Sequence, residues 1–397
     1  MTIYLDNNAT TSVAPEVFEA MQPYLTGLYG NPSSAHGLGR KMRSAIERAR
    51  EQVANLLGAK DSGEVVFTSC GSESDNWAIG GFLETNPGRR HVITTRVEHE
   101  AVRNLCSHLE QIGYEVTWLE VDRHGELDLD DLRKTLRRDT AIVSVMMANN
   151  ETGVLFPIAE IGGIIRQNSD AVFHVDGVQA VGKIPIDLSQ LPVDLFALSG
   201  HKFHAPKGAG ALYIRNGVNL PPFIIGGGQE RGRRAGTEAV PNIVALGRAC
   251  ELARKFDGRD QIRVLRDRLE DEILAKIPNA RLNGAPDRKK RLPNTSNISF
   301  EYVEGENILA LLDEAGICVS TGSACGSDSH EASPVLRAMN IPYTAARGSI
   351  RFSLSRYTTA ADIDQTLSAL PAVIGRLVEM SPYEKELQAL SALQGSR

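Results

Sequence analysis

Cysteine is scarce in this chain, and the few present do not pair. Five occur in 397 residues, at positions 70, 106, 250, 318 and 325; the count is odd and no two form C-x-x-C. The opening MTIYLDNNATT has no charged-then-apolar leader, so a disulfide framework is not expected and reduced thiols in the cytoplasm are. Long hydrophobic runs are missing as well. The longest apolar stretches, such as Ala141 to Ala148, are strand-sized, well short of the roughly 20 residues that span a bilayer, so no membrane partner is expected. A basic surplus is also absent: 43 Lys+Arg against 49 Asp+Glu leave a net charge of −6, which argues against nucleic acid as a partner. No Walker A loop, G-x-x-x-x-G-K-[ST], occurs either.

What is present is ordinary globular material, 42% hydrophobic and 23% charged, long enough to bury a core without staples. From residue 64 to 215, apolar runs recur every 15–30 residues or so: Glu64–Phe67, His91–Thr94, Glu115–Leu119, Ala141–Met146, Ala171–Asp176, Leu195–Ser199 and Ala211–Ile214. Helix-period segments lie between most of them, with Ile158, Ile161 and Ile165 on one face. Strands alternating with helices predict an α/β fold with a mostly parallel sheet covered on both faces. Leu38–Gly58 reads as an amphipathic helix ended by Gly58, with Met42, Ile46, Ala49, Val53 and Leu56 inward and Arg40, Arg43, Arg48 and Arg50 in solvent. A second compositional unit begins near residue 255. It reads as a charged helix (Asp260–Ile277), a polar loop (Ala280–Asn294) with a solvated basic run Arg288–Arg291, a strand (Ser296–Phe300), a helix (Glu306–Ala315), a Gly/Ser/Cys loop (Ser320–Ser329), a strand (Ser349–Ser355) and a last helix (Ala361–Leu377).

In open α/β sheets, ligands bind beyond the carboxyl ends of the strands. One such end holds Asp176, followed by Gly177, Val178 and Gln179; the next holds Ser199, Gly200, His201 and Lys202. A buried carboxylate there needs a cationic partner, and a lysine in a dry cleft can serve as a nucleophilic amine for a Schiff base. Thr68 to Ser72 lead into a helix near Glu73, placing free amides and small hydroxyls at a helix N-terminus suited to phosphate. A carboxylate, a lysine 26 residues later and an upstream phosphate cradle match what pyridoxal phosphate requires. The bland alternatives are a buried ion-pair aspartate and a surface lysine.

The runs Tyr4–Thr11, Gly30–Ser34, Glu98-His99, His174-Val175-Asp176, Ser199-Gly200-His201-Lys202 and Gly322-Ser323-Ala324-Cys325 resemble the cysteine desulfurases, class V, fold-type I pyridoxal-phosphate enzymes. The likeness spans essentially the whole chain. Within the family the chain is more similar to the NifS branch of nitrogen-fixing bacteria than to the housekeeping branch, by Thr68–Asp75, His204–Gly208, Arg291–Thr295 and Ser353–Tyr357, and by an end soon after Tyr383. The resemblance implies a seven-stranded, mostly parallel sheet flanked by helices, with a smaller α+β domain: residues 15–257 as the large cofactor-binding domain, 1–14 and 258–397 as the small one, carrying a catalytic loop at 320–334. It implies Lys202 as the residue that bonds the cofactor, Asp176 as partner of the ring nitrogen, His99 stacked on the ring, Gln179 on the ring hydroxyl and Asn150 beside the ring. Gly71, Ser72, Ser199 and His201 would cradle the phosphate, joined by Thr237 from the partner subunit of a homodimer. Arg351 would clamp the carboxylate of the substrate L-cysteine, with Asn31 nearby, and Cys325 would be the nucleophilic thiol.

Cys325 stands out without the analogy, because Ser320–Ser327 is small, flexible and polar, a better place to expose a sulfur than to bury one. Cys106, Cys250 and Cys318 read as core, and Cys70, beside the phosphate turn, is ambiguous. Cys318, Cys325 and His330 fit no common zinc spacing, so no metal site is expected. The expected reaction takes sulfur from L-cysteine, gives alanine and a Cys325 persulfide, and feeds an iron–sulfur scaffold protein, by the NifS likeness the one serving nitrogenase. A selenocysteine lyase or another class V reaction is the alternative; a non-catalytic sulfur carrier would need clustered thiols.

Overall fold

The computed structural model of the chain describes residues 2–321, 332–381 and 383. Strand β1 (Ile3–Tyr4) precedes two helices, α1 (Pro15–Leu25) and α2 (Gly37–Leu57). There follow β2 (Val65–Thr68), α3 (Gly71–Thr85), β3 (His91–Thr95), α4 (Glu100–Gln111), β4 (Glu115–Leu119), β5 (Thr140–Ser144), β6 (Val172–Asp176), β7 (Leu195–Ser199) and β8 (Gly210–Ile214). The order in the sheet is β2-β8-β7-β6-β5-β3-β4, parallel from β7 to β4, with β8 running antiparallel to both its neighbours. This is the seven-stranded, mostly parallel sheet expected. Side-chain alternation sorts each strand between two cores: Val66, Val92, Ile142, Leu195 and Leu212 face one, while Val65, Phe67, Ile93, Val143, Phe196 and Tyr213 face the other.

Beyond residue 255, β9 (Ala280–Asn283), β10 (Thr295–Phe300), β11 (Ile317–Cys318) and β12 (Ser349–Ser353) form smaller sheets. The order β12-β10-β9 is antiparallel, and β11 pairs in parallel with β1. A third core lies here, and Ile3 and Leu5 belong to it. The amino terminus is thus threaded from the small sheets to the ends of the large one.

Four expectations need correction. The segment Ala280–Asn294 is not all loop, since β9 pairs with β10. Arg291 is not solvated: it is buried in a bidentate pair with Glu270, at 2.7 and 2.8 Å. Arg50 likewise leaves the solvent face of α2, buried against Glu230 at 2.7 and 2.8 Å. Both arginines turned inward because a distant glutamate was waiting, which helical period does not encode. Cys318 is half-exposed, because Ile317 takes the inward position of β11 and alternation turns its neighbour out. Cys106 and Cys250 are core, as read, and burial pushes the Cys106 thiol up to about 12. Gly58 closes α2 in the left-handed region at φ 65, as its position predicted.

Candidate active site

The carboxyl ends of β2, β6 and β7 converge. Helix α3 starts at Gly71 with Cys70 as N-cap, and no side chain caps it. Its first amides therefore keep their donors for a ligand, with the positive end of the helix dipole behind them. A Cβ on Gly71 would meet Val178 Cγ2 at 2.7 Å and Ser199 Cβ at 3.6 Å, so the helix start is pressed against the segments after β6 and β7. Ser199 is buried, and its Oγ has no partner among the described residues. Ser72, next along α3, is exposed. An uncapped helix end and an orphaned hydroxyl beside a glycine-width gap suit a phosphate, so the residues fit pyridoxal phosphate at that end.

Asp176 ends β6, buried, its Oδ1 accepting the amide of Val178 at 2.9 Å. Burial pushes its carboxyl up, against the opposing influence of His99 and Lys202, so those two side chains bear on it. His99 caps α4: its Nδ1 accepts the Ala101 amide at 3.2 Å, which leaves Nε2 as the protonated nitrogen of a neutral ring. Burial holds that imidazole below its ordinary value.

Lys202 closes a short 3-10 turn, Gly200–Lys202, straight after β7. Gly200 is needed there because a Cβ would lie 2.8 Å from that of Ala205. Lys202 Nζ donates to the carbonyls of Asn8 and Ala9, both at 2.8 Å. Two residues on, His204 holds φ 75, a left-handed conformation kept by its amide bond to Thr11 Oγ1 and its ring contact with the Ser12 carbonyl. His201 Nδ1 lies 3.0 Å from Thr10 Oγ1, and burial with the nearby lysine charges brings the ring down to about 4. The amino-terminal segment is therefore a wall of the site.

Gln179 donates from Nε2 to the Asn8 carbonyl at 3.0 Å and accepts from Lys183 Nζ at 2.6 Å. Asn150 has a buried Oδ1 without a partner among the described residues, while its carbonyl accepts from Asn8 and Arg351. Arg351, on β12, is buried; it pairs with Asp6 at 2.8 Å and donates to the Asn150 carbonyl at 3.1 Å.

Two expected residues are not drawn in within this chain. Asn31 stands exposed before α2, its Oδ1 accepting the Ser33 amide, and none of its described contacts reaches Arg351. Thr237 is exposed and lines a surface cavity with Ser69, Glu230 and Arg234. Cys325 lies outside the described residues. Sequence reasoning missed Asn8, which holds Gln179, Lys183 and Lys202 together through its carbonyl and side chain, and Lys183 itself. Lys183 could have been found as the fourth residue after Gln179. Asn8 carried no signal beyond its place in the Tyr4–Thr11 run.

The profile of the family described as aminotransferase class-V matches residues 3–366. A cysteine desulfurase of Trichormus azollae is 56% identical over 391 residues, covering 97% of this chain and 96% of the relative. The cysteine desulfurase NifS of Azotobacter vinelandii is 52% identical over 383 residues, covering 96% and 94%. A solved NifS-like protein superposes with a TM-score of 0.88 at 39% identity, over 95% of this chain and all of the other. By this extent of likeness the chain belongs to the aminotransferase class-V family, among the cysteine desulfurases, which are pyridoxal-phosphate enzymes.

Proposed function

We propose that the chain removes sulfur from L-cysteine, leaving L-alanine and a persulfide on Cys325. The observation that carries this reading is the convergence of Asp176, His99 and Lys202 beside the uncapped start of α3 and the unpartnered Ser199 hydroxyl. When bound, pyridoxal phosphate supplies an electron sink for charge that develops at the substrate α-carbon. Asp176 would hold the ring nitrogen, and the amides of Gly71 and Ser72, with Ser199 and His201, would hold the phosphate. His99 would lie against the ring as a neutral imidazole, and Asn150 and Gln179 would hold its polar edge.

Lys202 would hold the cofactor covalently through Nζ, and its amine is the group that would move the substrate α-proton. Nζ donates to the carbonyls of Asn8 and Ala9, which ties the amine to the amino-terminal wall. Arg351 presents a fork to the substrate carboxylate, which must compete with Asp6 for the guanidinium. The Cys325 thiolate then attacks the substrate sulfur. The Cβ–S bond breaks with its electron pair left on carbon, an S–S bond forms, and protonation at Cβ completes alanine. Replacing Cys325 with Ser should abolish alanine and sulfide formation while the cofactor's visible absorbance stays intact. A variant that still turned over cysteine at the native rate would overturn the assignment.

The acceptor in this reading is an iron–sulfur scaffold protein, and the likeness to an Azotobacter NifS favours the scaffold that serves nitrogenase. Alanine formation from cysteine against selenocysteine separates the desulfurase from a selenocysteine lyase. We place the large domain at 15–257 and the small one at 1–14 with 258–397; the separate core around β10 and β12, which includes Ile3 and Leu5, supports that division. A homodimer agrees with exposed apolar side chains on α1 and at 223–225, and with Thr237 standing unused in its own chain. Among the described residues no helix is long and apolar enough to cross a membrane, in keeping with the cytoplasmic location proposed.

A further inference from the structure

Three carboxylates are buried together behind the ring-nitrogen position: Asp176 at the end of β6, Asp75 on the second turn of α3, and Glu98 just after β3. The charges of Asp176 and Glu98 both bear on Asp75. Carboxylates this close and this dry cannot all be ionised. Which of them keeps a proton decides the field at the cofactor, and the donors and acceptors around each one settle it.

Asp176 is the one equipped to be an anion. It accepts the Val178 amide and lies within reach of the Lys202 charge. Glu98 accepts from Thr95 Oγ1 at 2.7 Å and from the Met146 amide at 3.1 Å, both on Oε1, leaving Oε2 without a partner among the described residues and able to carry a hydrogen. No N–H or O–H of the described residues donates to Asp75 in a formed hydrogen bond. Its Oδ1 lies 3.4 Å from His174 Nε2, a contact short of a formed hydrogen bond, and neither atom has a hydrogen-bond partner among the described residues. On its far side, His174 Nδ1 lies 2.9 Å from Ser144 Oγ, with Ser144 the register partner of His174 across β5 and β6. His174 precedes Asp176 by two residues, so both project to one face of β6.

Resting on the assignment of Asp176 to the ring nitrogen, we propose that Asp75 is a positioning residue held as a neutral acid whose proton faces His174 Nε2, so that Asp176 is the single ionised carboxylate of the buried cluster. His174 Nδ1–H then donates to Ser144 Oγ, and the chain Asp75–His174–Ser144 carries no net charge. The groups facing Asp75 agree: Asp176 from β6, Glu98 from the segment after β3 and Cys70 before α3 are acids, and His174 is the base against it among the described residues. Burial pushes Asp75 well above the usual carboxylate range and brings His174 down to about 3, the directions this proton placement needs.

The test uses the holoenzyme and pyridoxal phosphate itself. Asp75→Asn keeps a neutral donor to His174, so its affinity for pyridoxal phosphate and the pH dependence of the bound chromophore should match the native enzyme. Asp75→Ala removes the donor and should weaken affinity about tenfold, the effect of one pKa unit. If Asn is as weak as Ala, Asp75 acts through a charge and the proposal fails. Independently of any variant, 15N NMR of the native protein should show His174 Nε2 as an unprotonated acceptor that does not titrate between about pH 5 and 9, where a free histidine would. An imidazolium or a protonated Nε2 would overturn the proposal. Asp176→Asn is the control: if it binds pyridoxal phosphate with native affinity and spectrum, the Asp176 assignment fails, whereas a weakened Asp176→Asn beside a weakened Asp75→Asn overturns the pair alone.

Discussion

At the residue scale, burial governs the charge of almost every group around the site. Glu98 shows it most plainly: burial lifts its carboxyl to about 8, despite bonds from Thr95 and Met146 that favour the anion. The folded chain therefore holds this proton more tightly than the unfolded chain does. That stabilisation is complete below the ordinary carboxyl value of about 4.3 and is lost as pH rises through the folded value. Native stability should fall across this window by up to about 1.4 kcal/mol per pH unit from this group. Glu98→Gln should lack that slope, as read by denaturant unfolding at several pH values; an unchanged slope would count against a protonated Glu98. Arg351→Lys keeps the charge but gives up the fork, so it should raise KM for cysteine far more than it changes cofactor retention. Lys202→Ala should leave a protein whose yellow colour is lost on dialysis; retained colour would argue against the assignment. These residues were legible in the sequence because each sits at a strand end or in a motif. Asn8 and the Asp75–His174 pair were not, since their meaning is a distance to residues over 100 positions away or on another element.

At the element scale, α2, β2 and the 229–232 turn are tied together through one buried ion pair. Arg50 donates to both Glu230 oxygens and to the Val65 carbonyl, and Glu230 also accepts the Phe67 amide. Removing one partner leaves a buried charge, so Glu230→Ala should cost about 3–5 kcal/mol. Denaturant unfolding checks this; a loss below about 1 kcal/mol would match an exposed pair instead. The helix itself was readable from its apolar period and Gly58. The inward turn of Arg50 was not, because an arginine on a helix reads as solvated unless its partner is seen. The same holds for Arg291 with Glu270 and for β9, whose polar residues pair only because β10 offers an edge. Strands of the large sheet were found within a residue or two. Buried on both faces, they read as continuous apolar runs, whereas the small sheets are short and mixed.

For the whole molecule, the exposed apolar side chains call for a partner surface. Ile225 is 91% exposed, beside Phe223 and Ile224, and Phe18 and Leu25 are more than half exposed on α1. If the homodimer proposed above forms through this face, Ile225→Asp should shift it toward monomer in sedimentation and weaken cofactor retention, since the proposed Thr237 contact comes from the second subunit. A variant that stays dimeric would place the interface elsewhere.

The sequence by itself determined the alternation of strand and helix, and with it which strand ends could bear chemistry. It also determined the family, through short motifs at those ends, and the candidate thiol, through the small polar loop around Cys325. Tertiary structure alone decided which carboxylate meets which partner and which arginine turns inward. It also decided that the amino terminus walls the site through Asn8, Thr10 and Thr11. The physical reason is range. Period and propensity act over a few residues, whereas burial and ion pairing depend on what the fold brings from far along the chain.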